Sequence, residues 1–246
     1  MNAKVVTVVI IFVLAVLRSG AQVPNPSEEK IQKNGAWLDQ ITNQHTSAII
    51  AFDAKFTCTG GGGVTYISDY FFNYGWDKPI APQSAHSFPI SGNTAQCNEV
   101  SAVMYANGDT SGDSNELNTI RQRHKGVYEE LQEVITKLGT SNNADYNPRN
   151  LASQLMTRAS EVLGDKTIPP GERWGRHQVL YTVAHALLDQ REIHVPSDDT
   201  MQRLPSMLKI AKTSNISMEQ AHAIMLTRRL EEWRNELAPE EVVTTQ

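Results

Sequence analysis

The stretch SEEKIQKNGAWLDQITNQHTSAIIAFDAKF, from Ser27 to Phe56, is where the fold is decided. Its signals read as helical. Pro26 precedes Ser27, a side chain suited to capping. Glu28 and Glu29 occupy the first turn, where the helix dipole favours carboxylates. Ile31, Leu38, Ile41, His45, Ile49, Phe52 and Phe56 recur at three-, four- and seven-residue steps, which gathers them on one helical face. Gly35 weakens the first half and marks a kink. The spacing predicts an N-terminal helix over residues 22–56.

Upstream, the chain opens MNAKVVTVVIIFVLAVLRSGAQVP. Lys4 is a short positive region, Val5 to Leu17 is apolar except for Thr7, and Ser19-Gly20-Ala21 offers small residues for cleavage. This is the pattern of a secretory signal, residues 1–21, cut after Ala21. A spanning helix needs roughly 20 apolar residues, and Arg18 ends this one early. The mature chain is therefore expected to be secreted or periplasmic, with no membrane span. Without the leader it carries 20 basic residues against 27 acidic ones, a net charge near −7. Its length suits one domain, or a domain with an appended lobe. The acidic balance argues against nucleic acid, because phosphate binding needs clustered Lys and Arg. The densest basic patch, RQRHK at 121–125, is balanced by Glu129, Glu130 and Glu133.

Downstream, the helical period disappears. Residues 57–112 are rich in glycine and carry Pro79, Pro82 and Pro89, a punctuation that favours turns and short strands. Val64 to Ile67 reads as a strand, and Asn98 to Tyr105 as a strand or a short helix. Cys58 and Cys97 are the two cysteines of the chain. In an oxidising compartment they allow one intramolecular bridge, the alternative being two buried thiols. A bridge would span most of the segment and contribute about 3–4 kcal/mol through the unfolded chain.

The helical pattern returns at Asp113, which with Glu116 forms a capping box ahead of Leu117, Ile120, Val127, Leu131, Val134 and Leu138. Gly139 is placed to end that helix. A second begins at Asn147-Pro148 and stops at Gly164. A third runs from about Glu172 to Glu192. A short fourth covers Asp198 to Lys212, with Pro205 inside or at its start. A fifth starts from the Ser217–Gln220 capping box and reaches Leu237. Residues 238–246 read as a disordered tail. The expected fold is mainly α: a bundle of about five helices formed by residues 22–56 and 113–237. An irregular, disulfide-stapled lobe, residues 57–112, lies between the first two.

Within that lobe, TCTGGGGVTYISDYFFNYGWDKP (57–79) sets four glycines beside Cys58 and six aromatics between Tyr66 and Trp76. A phosphate loop needs a lysine after its glycines, and Val64, Thr65 and Tyr66 follow instead. The dinucleotide pattern fails at its last glycine. No cofactor is expected, and the glycines are left with a conformational role. Tyr66, Tyr70, Phe71, Phe72, Tyr74 and Trp76 are either the lobe's own core or a recognition surface. Tyr66, Tyr70, Phe72, Tyr74 and Trp76 are the candidate partner contacts, since exposed Tyr and Trp anchor protein interfaces and stack on sugars.

Metal signals are thin. His177, Tyr181, His185 and Asp189 recur every four residues, but the two histidines are two turns apart, roughly 12 Å along the axis, too far for one ion unaided. Residues 107–118 place Asn107, Asp109 and Ser111 as a calcium loop would, but Asn118 stands where a bidentate Glu is needed; an Asx-rich turn is the competing account. No serine-nucleophile motif exists. Glu172 beside Trp174 is the one candidate acid–base carboxylate, since burial against an indole would raise its pKa; its competing role is a first-turn helix carboxylate.

Two functions are compatible with these signals. One is an exported, non-catalytic binding or structural protein with a protein partner. The other is an exported hydrolase acting on glycan or cell-wall substrates. In layout (signal peptide, long first helix after AQVP, irregular lobe, further helices) the chain resembles the minor pilins of bacterial type IV secretion systems. That resemblance implies an accessory component of an envelope-spanning secretion or conjugation apparatus.

Overall fold

The computed structural model describes residue 23, residue 26 and residues 27–57, 63–74, 77–89, 98–139, 146–189 and 197–237. The 1–21 leader, Cys58 and Cys97 with their expected bridge, Trp76 and the 238–246 tail lie outside them.

Residues 27–56 do not form a helix. They form β1 (Ser27–Lys33), β2 (Ala36–Thr42) and most of β3 (Ile49–Thr57). The break comes at Asn34-Gly35, whose φ angles are +52° and +79°. Two consecutive left-handed residues with Lys33 opposite Ala36 make a two-residue hairpin turn, which matches the natural twist of paired strands. What looked like a kink is therefore a reversal of the chain.

The supposed irregular lobe is part of the same β structure. It supplies β4 (Gly63–Asp69), β5 (Ala85–Pro89), β6 (Asn98–Tyr105) and β7 (Thr110–Gly112). Sheet A has the order β1-β2-β5 and sheet B the order β4-β3-β6-β7, with every pairing antiparallel. The expected mainly α bundle with an inserted lobe is thus replaced by a mixed α/β fold in which strands precede helices.

Alternation along the strands sorts the layers. Phe52, Ala54, Val103 and Tyr105 face Ile41 and Phe88 of sheet A and form the core between the sheets. Ala51, Ala102 and Met104 face the other way, onto Leu117 and Ile120. Residue parity sets this division, and a register shift between Ile49 and Ala51 lets Ile49 join the inter-sheet core. The N–H of Val100 in β6 donates to Glu28 of β1 at 3.1 Å, a second link between the sheets.

The helices are α1 (Ser114–Gly139), α2 (Pro148–Gly164), α3 (Pro170–Asp189), α4 (Ser197–Ser214) and α5 (Met218–Leu237). Their expected caps are present. Asp113 Oδ1 accepts from the N–H of Asn115 and Glu116. Asn147 accepts from Asn150. Ser217 and Gln220 exchange side-chain and backbone bonds at 3.1 and 3.0 Å. Helices α1, α2, α3 and α5 bury a core around Leu131, Leu155, Leu180 and Trp233, and Tyr74 from the loop after β4 is inserted into it. Among the described residues no helix is long and apolar enough to cross a membrane.

Candidate functional site

Helix α1 lies across sheet B, where Asp53 and Asp69 stand among Ala51, Ala102 and Met104. Both aspartates are buried, as is Arg123. Arg123 Nη2 donates to Asp53 Oδ1 at 3.0 Å, and its Nε lies 3.4 Å from Asp69 Oδ2. His124 Nε2 lies 2.8 Å from Asp69 Oδ1. The same Asp69 oxygen accepts from the N–H groups of Phe71 and Phe72, so it also caps the turn that carries the aromatics. Burial pushes Asp69 up, but His124, Arg123 and the Phe72 N–H together hold it below the usual carboxylate range. Burial dominates at Asp53, whose carboxyl is raised despite Arg123.

Above this network a groove opens, with a volume of about 1180 Å³. Ile50, Met104 and Tyr105 from the sheet form one wall. Arg121, His124, Lys125, Tyr128, Glu129 and Gln132 of α1 form the other. Tyr70, Phe71 and Glu236 close one end. The sequence reading took 121–125 as one balanced basic patch. Its members instead divide: Arg123 points into the protein and Arg121, His124 and Lys125 line the groove. The available signal was positional, because 123 and 124 fall on the apolar stripe between Ile120 and Val127.

The aromatic candidates are brought together, but mostly with one another and the core. Tyr66 stacks on Phe88 with centroids 4.5 Å apart. Tyr74 stacks on Trp233 at 5.0 Å, with the Arg229 guanidinium 4.8 Å from its ring centre. Tyr70 and Tyr74 both donate to the Glu236 carboxylate, at 2.6 and 3.2 Å. Burial, then the hydrogen bond to Glu236, raises the Tyr70 phenol; burial pushes Tyr74 up to about 12. Phe72 is half-buried, with Arg123 5.7 Å from its ring centre. Of the described members of the cluster, Tyr70 and Phe71 reach the groove.

Glu172 is in the first turn of α3, where it accepts from Lys125 and Arg176, each at 2.9 Å. Arg176 also pairs with Glu129. Burial raises Glu172, but the two cations outweigh it and hold the carboxyl below its ordinary value, opposite to what a general acid requires. Trp174 does not cover it: the indole is 53 % exposed and meets His177 edge-on. Asp109 sits in the β6–β7 turn, bonded to Asn107 and 3.3 Å from His45 Nε2. His177 and His185 flank Tyr181 on α3, and Asp189 is the last residue of that helix. Among the described residues no group of three or more His, Cys, Asp or Glu is placed to hold a metal ion.

Comparison with family models, with curated proteins and with solved structures finds no match for this chain.

Proposed function

We propose that this is an exported, non-catalytic binding protein, and that its ligand is an extended segment of a protein partner lying in the groove between sheet B and α1. The groove itself carries the reading. Its aromatic and apolar walls supply area, while Arg121, Lys125, Glu129 and Glu236 supply charges of both signs at the edge, the composition of a site that fixes orientation with a few polar groups. Export rests on the leader sequence. The pilin-like layout depended on a long first helix, and those residues are strands; the proposal therefore does not assign the protein to a secretion apparatus.

The test uses peptides selected from a random display library on the folded protein. Tyr128→Ala and Arg121→Glu should each weaken selected peptides about tenfold or more, roughly 1.4 kcal/mol. Trp174→Ala, outside the groove, should leave them unchanged. Peptides that bind all three variants equally would place the ligand elsewhere.

One observation favours the alternative of an exported hydrolase. A buried carboxylate orienting an imidazole at 2.8 Å is the arrangement of a general base, and His124 faces the groove. Under that reading His124→Ala abolishes release of product from glycan or peptide substrates while binding persists. Under the binding reading no product forms with either protein.

A further inference from the structure

Two carboxyl groups meet between the sheets. Asp39 of β2 is fully buried. Its neighbours on that face are Ile41 and, across the ladder, Phe88, both members of the inter-sheet core. Glu28 of β1 stands opposite Ile41, which makes Asp39 its diagonal neighbour on the same face, within reach of a long side chain. Glu28 Oε2 accepts from the N–H of Val100 at 3.1 Å, so its carboxyl also touches β6 of the other sheet. Glu28 Oε1 is buried, and among the described residues no N–H or hydroxyl donates to it. An ionised carboxylate only accepts, so two of them cannot bond to each other. A proton on Glu28 removes the conflict: one oxygen then donates to Asp39 while the other accepts from Val100. Burial first, then the hydrogen bond to Asp39 and its charge, push the Glu28 carboxyl up to about 7. The Val100 N–H and Lys30 pull it down and do not outweigh them.

The other groups on this face leave that balance in place. Lys30 of β1 stands across from Asp39. His86 of β5 stands opposite Ile41 and borders Phe52 and Phe88. The phenols of Tyr66 in β4 and Tyr105 in β6 are raised by burial and stay neutral. Phe52 and Ala54 of β3 and Val100 and Val103 of β6 bring no charge. We propose that a proton held by Glu28 bonds it to Asp39 and makes the two a pH-sensitive clasp between the sheets, closed in acid and weakened when that proton is lost. The sign is opposite to that of Asp69. A carboxyl with a raised folded pKa stabilises fully below its ordinary value, 4.5, and the contribution is lost as pH rises through about 7. Glu28, Asp39 and Val100 do not line the groove, so the clasp does not depend on the binding reading.

The Val100 amide proton reports the clasp directly, by nuclear magnetic resonance of the full chain. Its shift should titrate near pH 7 in the wild type. Glu28→Gln should abolish that step, because its amide donates to Asp39 and still accepts from Val100 with no proton to lose. Asp39→Asn should move the step down toward 4.5, because its amide donates to an ionised Glu28. His86→Gln should leave it in place. In urea, the midpoint of Glu28→Gln relative to wild type should rise from pH 4.5 and level off above about 7. A wild-type step near 4.5, or none, overturns the proposal. So does a step that His86→Gln removes, which belongs to the imidazole. A step near 7 that survives Asp39→Asn makes burial of Glu28 the whole cause and overturns the bond to Asp39. A midpoint difference that does not change with pH overturns the clasp.

Discussion

Asp69 and Asp53 are both buried carboxylates beside Arg123, but their surroundings differ. Asp69 answers to His124, Arg123 and two backbone N–H groups, and its carboxyl is held down. Asp53 has one guanidinium contact and is raised by burial. Removing a charge that its environment stabilises leaves the partners buried and uncompensated; removing one that burial already disfavours does not. Asp69→Asn should therefore cost about 3–5 kcal/mol at neutral pH, and Asp53→Asn about 1 kcal/mol, as read by urea unfolding. The pH dependence has a fixed sign. A carboxyl with a depressed folded pKa stabilises above its ordinary value, 3.8, and that contribution is lost as pH falls below it. The penalty of Asp69→Asn should shrink in the same acid range. Equal costs for the two variants would mean that Arg123, not Asp69, centres the network.

Among the elements, α1 and α3 approach each other closely at their glycines. A Cβ on Gly126 would overlap the carbonyl oxygen of Glu172, and one on Gly175 would overlap that of Arg123; on Gly171 it would lie 2.7 Å from the Thr119 oxygen. These are backbone atoms, which cannot swing aside. Gly126→Ala should cost about 1–3 kcal/mol despite alanine's better helix propensity. Gly139→Ala, at the open end of the same helix, meets nothing within 4 Å and should be near neutral. Thermal unfolding of the two variants checks this, and a neutral Gly126→Ala would mean that the helices can separate without penalty. The α1–α5 helices and their caps were legible in the sequence because their stripes are long and their capping side chains are local. Of the strands, β4 was legible at Val64 to Ile67 and β6 as one of two readings of Asn98 to Tyr105, whereas β1, β2 and β3 were read as helix. Ile31, Leu38, Ile41, Ile49 and Phe52 satisfy a helical step pattern by coincidence, and the Asn34-Gly35 turn, the strongest local signal against it, reads equally as a weak spot in a helix. Arg123 was hidden for a related reason: a charged residue on an apolar stripe gains meaning only once the opposing Asp53 and Asp69 are placed on strands. The groove, built from residues far apart in sequence, had no local signature.

At the scale of the whole molecule, strands and helices are tied together by α1 packed on sheet B and by polar and aromatic links at places distant in sequence. Arg123 and His124 tie α1 to β3 and to the end of β4. The loop after β4 is tied to α5: Tyr74 stacks on Trp233, Trp233 Nε1 donates to Phe71 O at 2.9 Å, and Tyr70 donates to Glu236. Trp233 is 1 % exposed and stands in the helical core, so this loop completes that core rather than covering it. The sheets cannot separate from the helices without exposing both sides, and folding should be one cooperative transition, with far-UV circular dichroism and tryptophan fluorescence coincident in urea. Trp233→Ala removes the ring that joins the halves, costs about 3–5 kcal/mol and should split the two probes. Trp233→Phe keeps most of the apolar contact but loses the bond to Phe71, so it should cost less and leave the transitions coincident. Non-coincident transitions in the wild-type protein would mean that the sheets fold independently of the helices and that the aromatic loop is a contact between two units.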